Sequence, residues 1–465
     1  MIYIKLEDLD FYDDANILVK SFYPRTEVTS KPDEEAQLTI EVETPVKDGR
    51  SKGELHDEFK EKLYLQLVKS TGKTLPWGNV TGVRPSKVVV KMLNNGVPEA
   101  QIRTFYKKEH FVSDEKIDLV VLVAKKELEL LKSIDYIKGY SLYIGIPFCP
   151  TTCSYCSFTS FSLSIWEKEV DNYLDALIKE MQFVSESMKD RRLDTIYFGG
   201  GTPTTLSPEQ LDRLLTALEN NFNVEHVYEL TVEAGRPDSI TLEKLLVLKS
   251  HKVGRISINP QTMNQKTLDI IGRKHTVQQI IDTFKMAREN GFDNINMDLI
   301  LGLPGEDEAM IHYTLEEIKK LSPDSLTIHS LAIKRAAAIN MAKEKYKNVS
   351  LVNTDAIVAM TADYAKKMGL EPYYMYRQKN MAGNFENVGY STPGKECIYN
   401  VLIMEEKQTI IAVGAGSASK VIFYSEDGNY DRVERIENVK DVRNYIDRID
   451  EMIDRKRKFF AENKF

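Results

Sequence analysis

Between Tyr140 and His329 the chain repeats one unit: an apolar strand, a loop, then an amphipathic helix. This repetition constrains the fold more than any other feature of its 465 residues. Short apolar runs bounded by Gly, Pro and Asn predict strands over 141–146, 195–198, 229–233, 255–259, 294–300 and 324–329. Apolar residues at helical spacing predict helices over 165–190, 207–220, 241–250, 277–290 and 310–321. Ser207 stands where an N-cap belongs, with Pro208 at the first helical position, and Gly291 follows the fourth helix as a stop. Strands and helices in strict alternation give parallel strands joined by right-handed crossovers. Six such units predict an α/β fold built on a partial (β/α)6 barrel, whose functional residues gather at the carboxyl ends of the strands.

The flanking segments read differently. Residues 1–135 open on the alternating Met1-Ile-Tyr-Ile-Lys-Leu, followed by a strand candidate at 38–44 and helices over 57–70, 86–93 and 113–132. They are expected to form a small α/β accessory domain, the last helix serving as a connector to the barrel at 136–353. Residues 354–465 begin with a helix over 354–368, pass through a Tyr- and Asn-rich stretch, include a strand at 408–413, and end in helices. A helical lid over the barrel mouth is expected there. Apolar residues at 42% and charged residues at 28% suit a soluble globular protein, and no run approaches a membrane span. A net charge of −8 argues against broad nucleic-acid binding, which needs a basic surface.

Three of the four cysteines fall in one loop, Cys149-Pro-Thr-Thr-Cys153-Ser-Tyr-Cys156, directly after the first predicted barrel strand. A site made only of cysteines needs four to hold an iron–sulfur cluster, so three leave one iron free for another ligand. Zinc with Cys397 as a fourth ligand is the alternative, although structural zinc sites pair their ligands at short spacing and Cys397 has no such neighbour. The opening residues carry no apolar signal run, so reduced thiols and a cytoplasmic location are expected. Cys397 reads as an ordinary semi-buried thiol.

Other chemistry-bearing residues fall on or close to predicted strand ends: Gly199-Gly200-Gly201-Thr202-Pro203, Glu233, Asn259-Pro260-Gln261, Asp298 and Gly302-Leu-Pro-Gly305. Glycines after a strand let a ligand approach the backbone, and a buried carboxylate there needs a cationic partner. Neither glycine run matches a nucleotide phosphate loop.

In order and spacing, Tyr143-Ile-Gly-Ile-Pro-Phe-Cys149, the Gly-Gly-Gly-Thr-Pro run, Glu233, Asn259-Pro260-Gln261, Ile271-Gly-Arg273, Asp298-Leu-Ile-Leu-Gly-Leu-Pro and Ala332 resemble the coproporphyrinogen oxidase-like branch of the radical S-adenosylmethionine (SAM) enzymes. Thr81-Gly-Val-Arg-Pro and Tyr376-Arg-Gln-Lys-Asn-Met-Ala-Gly-Asn resemble its HemZ subgroup, so the likeness covers nearly the whole chain.

The resemblance implies a radical SAM barrel carrying a 4Fe–4S cluster on Cys149, Cys153 and Cys156. It implies that Tyr143, Gly200 and Glu233 contact the S-adenosyl-L-methionine bound to the cluster. Tyr155, Gly201, Thr202, Gln261, Arg273, Asp298 and Ala332 would lie near a second cofactor molecule or the substrate, with Tyr143, Glu233 and Arg273 as the catalytic set. The implied reaction is oxygen-independent oxidative decarboxylation of coproporphyrinogen III to protoporphyrinogen IX through a 5′-deoxyadenosyl radical. Its electron donor would be of flavodoxin or ferredoxin type. Arg273, Arg377 and Lys379 are candidate partners for the propionates, and Gly414–Ser419 aligns with a lid loop. The true oxidases follow the third cysteine with Gly-Cys, whereas Cys156 is followed by Ser157-Phe158, which is similar to the haem chaperone branch. A haem-binding paralogue or a haem-modifying enzyme is the alternative reading.

Overall fold

A computed structural model describes the whole chain except residues 25, 33–34, 157–159, 333–351, 379–384, 426–427, 429 and 464–465. Its first 75 residues form a small α/β unit. Strand β1 (Ile2–Lys5) runs between β2 (Val28–Thr29) and β3 (Leu38–Glu41), parallel to both. Helices Tyr12–Phe22 and Lys52–Thr71 pack with this sheet around Ile4, Phe11, Val19, Phe59 and Leu63. The second helix opens on a full capping box, Ser51 with Glu54, and stops at Gly72 in the left-handed region.

The apolar core changes over near Leu75 rather than at 135. Trp77 and the helices Pro85–Asn94, Glu99–Lys108 and Asp114–Leu131 bury their apolar faces in the same core as the barrel. The helix expected as a connector is thus a packed element. Its Lys116 forms a 2.5 Å ion pair with Glu386, whose other oxygen accepts from Trp77 Nε1 at 2.6 Å.

The barrel strands are β4 (Gly139–Ile146), β7 (Arg192–Gly200), β8 (Glu229–Gly235), β9 (Arg255–Ile258), β10 (Ile295–Leu301) and β11 (Ser325–Ser330); the short pair β5 (Phe148–Cys149) and β6 (Phe161–Ser162) follows β4. The six barrel strands lie side by side in chain order, all parallel, as the alternation requires. Side chains alternate across a strand. One face, with Leu142, Ile144, Ile196, Phe198, Val232, Ile256 and Met297, joins the main core under the helices. The other face is polar. Register sets Ser141 beside Thr195 and Tyr143 beside Tyr197, and the buried hydroxyls satisfy each other, Thr195 donating to Ser141 at 2.7 Å.

The C-terminal segment differs from a helical lid: all five of its described strands extend the same sheet. Strands β12 (Glu371–Tyr376) and β13 (Asn387–Ser391) join antiparallel beyond β11. On the other side β14 (Thr409–Val413) runs parallel to β4, and β15 (Ala418–Tyr424) and β16 (Tyr430–Glu437) follow antiparallel. The result is an open eleven-stranded sheet with β12 and β16 at its edges. Helix Ile398–Glu405 places Tyr399 against Tyr197, ring centroids 4.5 Å apart. Among the described residues no helix is long and apolar enough to cross a membrane.

Candidate active site at the carboxyl ends of the barrel strands

The cysteine loop leaves β4 and is pinned from three sides. Gly201 N donates to Ile146 O and Thr202 N to Phe148 O, each at 2.7 Å. A Cβ on Gly201 would stand 2.5 Å from Phe148 O, so only glycine fits there, and Gly200 takes a positive φ of 111°. Arg236, just past β8, grips Asp238 with two donors and points a third at Thr151, reaching its carbonyl at 2.9 Å and its hydroxyl at 2.7 Å. Ser154 N donates to Ile271 O at 3.0 Å, and Thr151 Oγ1 to Gly272 O at 3.1 Å.

Within this frame Cys149 Sγ lies 3.5 Å from Thr202 Oγ1. Burial raises the Cys149 thiol, and the neighbouring Cys156 and Cys153 add to the shift, so the three sulfurs share one electrostatic environment. Among the described residues no three His, Cys, Asp or Glu side chains gather as for a single metal ion. Three thiol ligands in one loop suit an iron–sulfur cluster, each thiolate taking its own iron, better than a mononuclear ion. Cys397 stands elsewhere. It is fully buried and bonded to Glu229 Oε1 at 3.2 Å, at the amino end of β8.

The remaining residues converge on the same strand ends. Tyr143 stacks near Tyr197 and Tyr399, with centroids 6.3 Å away in both cases. Tyr197 OH donates to Glu233 Oε1 at 2.5 Å. Burial pushes the Glu233 carboxyl up to about 7; the Tyr197 bond opposes the shift and Asp298 adds to it. Asp298, on β10, accepts from Asn296 at 2.7 Å and has His329 Nε2 at 3.8 Å. Although its own burial acts to raise it, His329 and Asn296 hold it below the usual carboxylate range. Gln261 adopts φ 68° and pairs its backbone with β10. Its side-chain Oε1, like Asn259 Oδ1, is a buried acceptor with no partner among the described residues, which fits a ligand. Arg273 is buried, donating to Asn259 O and, at 3.3 Å, to Tyr155 OH. Ala332 lies just beyond β11.

One expectation about propionate partners changes. Arg377 does not line the mouth. It is buried over the Trp77 ring, centroid 5.3 Å away, and donates to Val80 O at 2.6 Å. Burial lowers it to about 10. Lys379 and Ser157-Phe158 lie outside the described residues. Residues passed over in the sequence include Tyr197, two positions before the glycine run and in register with Tyr143, and Arg236, three positions after Glu233. Only the strand period could have flagged the tyrosine.

A cavity of about 390 Å³ opens beside these residues, lined by Tyr143, Pro147, Gly200, Tyr399 and the turn at Gly416. A larger one of about 1110 Å³ sits at the amino ends of β8, β9 and β10. Barrel chemistry belongs to the carboxyl ends, so the smaller cavity marks the site.

Residues 143–318 match the family model of the radical SAM superfamily. Over 405 residues the chain is 43% identical to the oxygen-independent coproporphyrinogen-III oxidase-like protein HemZ of Bacillus subtilis, covering 86% of this chain and 80% of that protein. The chain belongs to this coproporphyrinogen-III oxidase-like family of radical SAM proteins. This radical SAM protein is also 33% identical over 282 residues to the heme chaperone HemW of Lactococcus lactis, covering 60% of this chain and 69% of the relative. Its fold is shared with the coproporphyrinogen III oxidase HemN from Escherichia coli, with a TM-score of 0.55 at 23% identity over 70% of this chain and 72% of that one.

Proposed function

We propose that the chain is a radical SAM enzyme that oxidatively decarboxylates coproporphyrinogen III without oxygen. The observation that carries this reading is that the loop Cys149–Cys156, the Gly199–Thr202 cradle and Glu233 stand at one set of strand ends, in a chain that matches the HemZ protein along most of its length. Cys149, Cys153 and Cys156 would hold the 4Fe–4S cluster, and Tyr143, Gly200 and Glu233 the SAM beside it. Tyr155, Gly201, Thr202, Gln261, Arg273, Asp298 and Ala332 would line a second SAM or the tetrapyrrole. When bound, cluster and SAM would supply the electron and the hydrogen-abstracting radical; the substrate radical would then lose carbon dioxide and give one electron to an external one-electron acceptor, leaving a vinyl group.

The protein's part is binding, orientation and exclusion of water. Ionised Glu233, held in place by Tyr197 OH, would accept hydrogen bonds from the cofactor. Asp298, kept ionised by His329, adds a second negative group. Glycine at 201 lets the cysteine loop lie close against the strand ends, and the Tyr143, Tyr197 and Tyr399 rings stack beside the site. A cytoplasmic location and a flavodoxin- or ferredoxin-type donor fit a cluster that must be reduced. A second reading is haem capture without turnover, favoured by the HemW match and by Ser157-Phe158 after Cys156.

Anaerobic incubation of reconstituted protein with coproporphyrinogen III, SAM and a reductant separates the two. Carbon dioxide and a vinyl product are expected. Stoichiometric haem binding with no carbon dioxide, under conditions where a true oxidase turns over, would replace the first reading by the second.

A further inference from the structure

We propose that Lys420 is the anchor for a substrate carboxylate, which in the tetrapyrrole reading on which this inference rests is a propionate arm. The cavity beside Tyr143 extends inward past Tyr399 to Lys420, and Lys420 is the one charged side chain among the described residues that line it. Register fixes the depth. Lys420 pairs with Ile410, and Ile410 with Ser141. The ammonium-bearing residue therefore sits five positions before Ile146 on β4, about 16 Å along the strand from the cysteine loop side.

Its electrostatic setting is incomplete. The carboxylate beside it, Glu406, is 3.8 Å away and is already held by Arg84 at 2.7 Å. Directly across the strand pair stands Arg435. Like charges facing each other on adjacent strands destabilise a sheet, and burial also works against the Lys420 ammonium, lowering its pKa. Lys420 thus shares Glu406 with Arg84 and faces Arg435 across the strand pair, while its own side chain lines the inner end of a cavity walled by tyrosine rings and isoleucines. An anion carried on an apolar stem satisfies both features, and a propionate is such a group. Neither Arg273 nor Arg377 lines this cavity. Both are committed to backbone carbonyls, of Asn259 and Val80 respectively. An ammonium suits the task because it binds a carboxylate as a point charge through any of three donors.

The test uses the reconstituted full-length chain and a binding readout independent of turnover. Fluorescent coproporphyrin III and its tetramethyl ester are titrated anaerobically into wild type, Lys420→Met, Lys420→Arg and an exposed control, Lys440→Met. Lys420→Met is expected to weaken the free acid by roughly tenfold to a hundredfold, the span of a charge-assisted hydrogen bond. It should leave the ester nearly unchanged. Lys420→Arg should stay within about threefold of wild type on the same scale, and the Lys440 variant should match wild type. Equal affinity of wild type and Lys420→Met for the free acid, or equal loss for acid and ester, would overturn the proposal. So would a matching loss of SAM affinity in Lys420→Met, which would assign the cavity to the cofactor. Wild type that binds neither porphyrin nor haem would instead sink the tetrapyrrole reading, and this inference with it.

Discussion

Glu233 offers the sharpest test of the site, because its environment predicts a pH dependence that can be calculated. Burial lifts its carboxyl to about 7, well above an ordinary glutamate. The sign follows from the raised value. Below pH 7 the folded protein holds Glu233 protonated, and a neutral acid cannot supply the charge the cofactor needs. As pH rises through 7 the group ionises and binding improves. With one proton released per cofactor bound, the ionised fraction grows from about one in eleven at pH 6 to about ten in eleven at pH 8, so SAM affinity should rise about tenfold over that range. The assay is anaerobic equilibrium binding of SAM to reconstituted protein across pH 6–8.5, with Glu233→Gln as the reference that removes this titration and retains the cofactor's own. The variant should bind weakly with iron content unchanged, and should lose the tenfold slope. A slope equally steep in Glu233→Gln would place the titrating group elsewhere and refute the reasoning.

Three further outcomes are expected. Cys149→Ala, Cys153→Ala and Cys156→Ala should each lose the cluster, read as iron per chain after reconstitution, while Cys397→Ala, whose thiol is bonded to Glu229, should keep it; equal loss in all four would mean a four-cysteine site. Gly201→Ala forces its Cβ against Phe148 O, so SAM binding should fall at least tenfold in a still-folded protein, a loss of about 1.4 kcal/mol, and unchanged binding would mean that the cradle moves freely. Lys456 and Glu180 form an ion pair at 2.7 Å with neither side chain exposed; Lys456→Met removes the cation while Glu180 keeps its bonds from Gly414 N, Asn438 and Tyr445, so it should cost about 3–5 kcal/mol in denaturant unfolding, and a loss below about 1 kcal/mol would mean that those three neutral donors alone satisfy the buried carboxylate.

The chemistry was legible in the sequence where it is local. Three cysteines within eight residues define their own loop, and glycines at a strand end announce a close approach. The six parallel strands were legible because each is an apolar run followed by an amphipathic helix. What escaped depends on distant partners. Pro372 and the clustered tyrosines of β12 read only as part of a Tyr- and Asn-rich stretch, yet they pair with β13, where the absence of a Cβ at Gly389 makes room for the Tyr374 ring. The run at 408–413 was visible as a strand, but nothing in its residues says that it lies beside β4, some 270 positions earlier. Arg377 was misplaced for the same reason: its acceptors are backbone carbonyls at Val80 and Gly82, which leave no mark in residue types.

The pairing of β14 with β4 also bears on how the protein is made. A ribosome releases β4 and the cysteine loop long before it reaches Val413, and until then β4 has β7 on one flank and an open edge on the other. Every anchor of the cysteine loop described above, from Gly201 to Arg236 and Ile271, is already synthesised. The loop can therefore take its native shape, and meet iron and sulfide, in a nascent chain whose sheet is still incomplete; the turn Gly414–Ser417 packs against Gly145 afterwards. Long-range strand pairing of this kind is slow and leaves an exposed edge. A chain truncated before 409 is accordingly expected to accept a cluster yet aggregate, and a truncated chain that stays monomeric without any cluster would reverse that order of assembly.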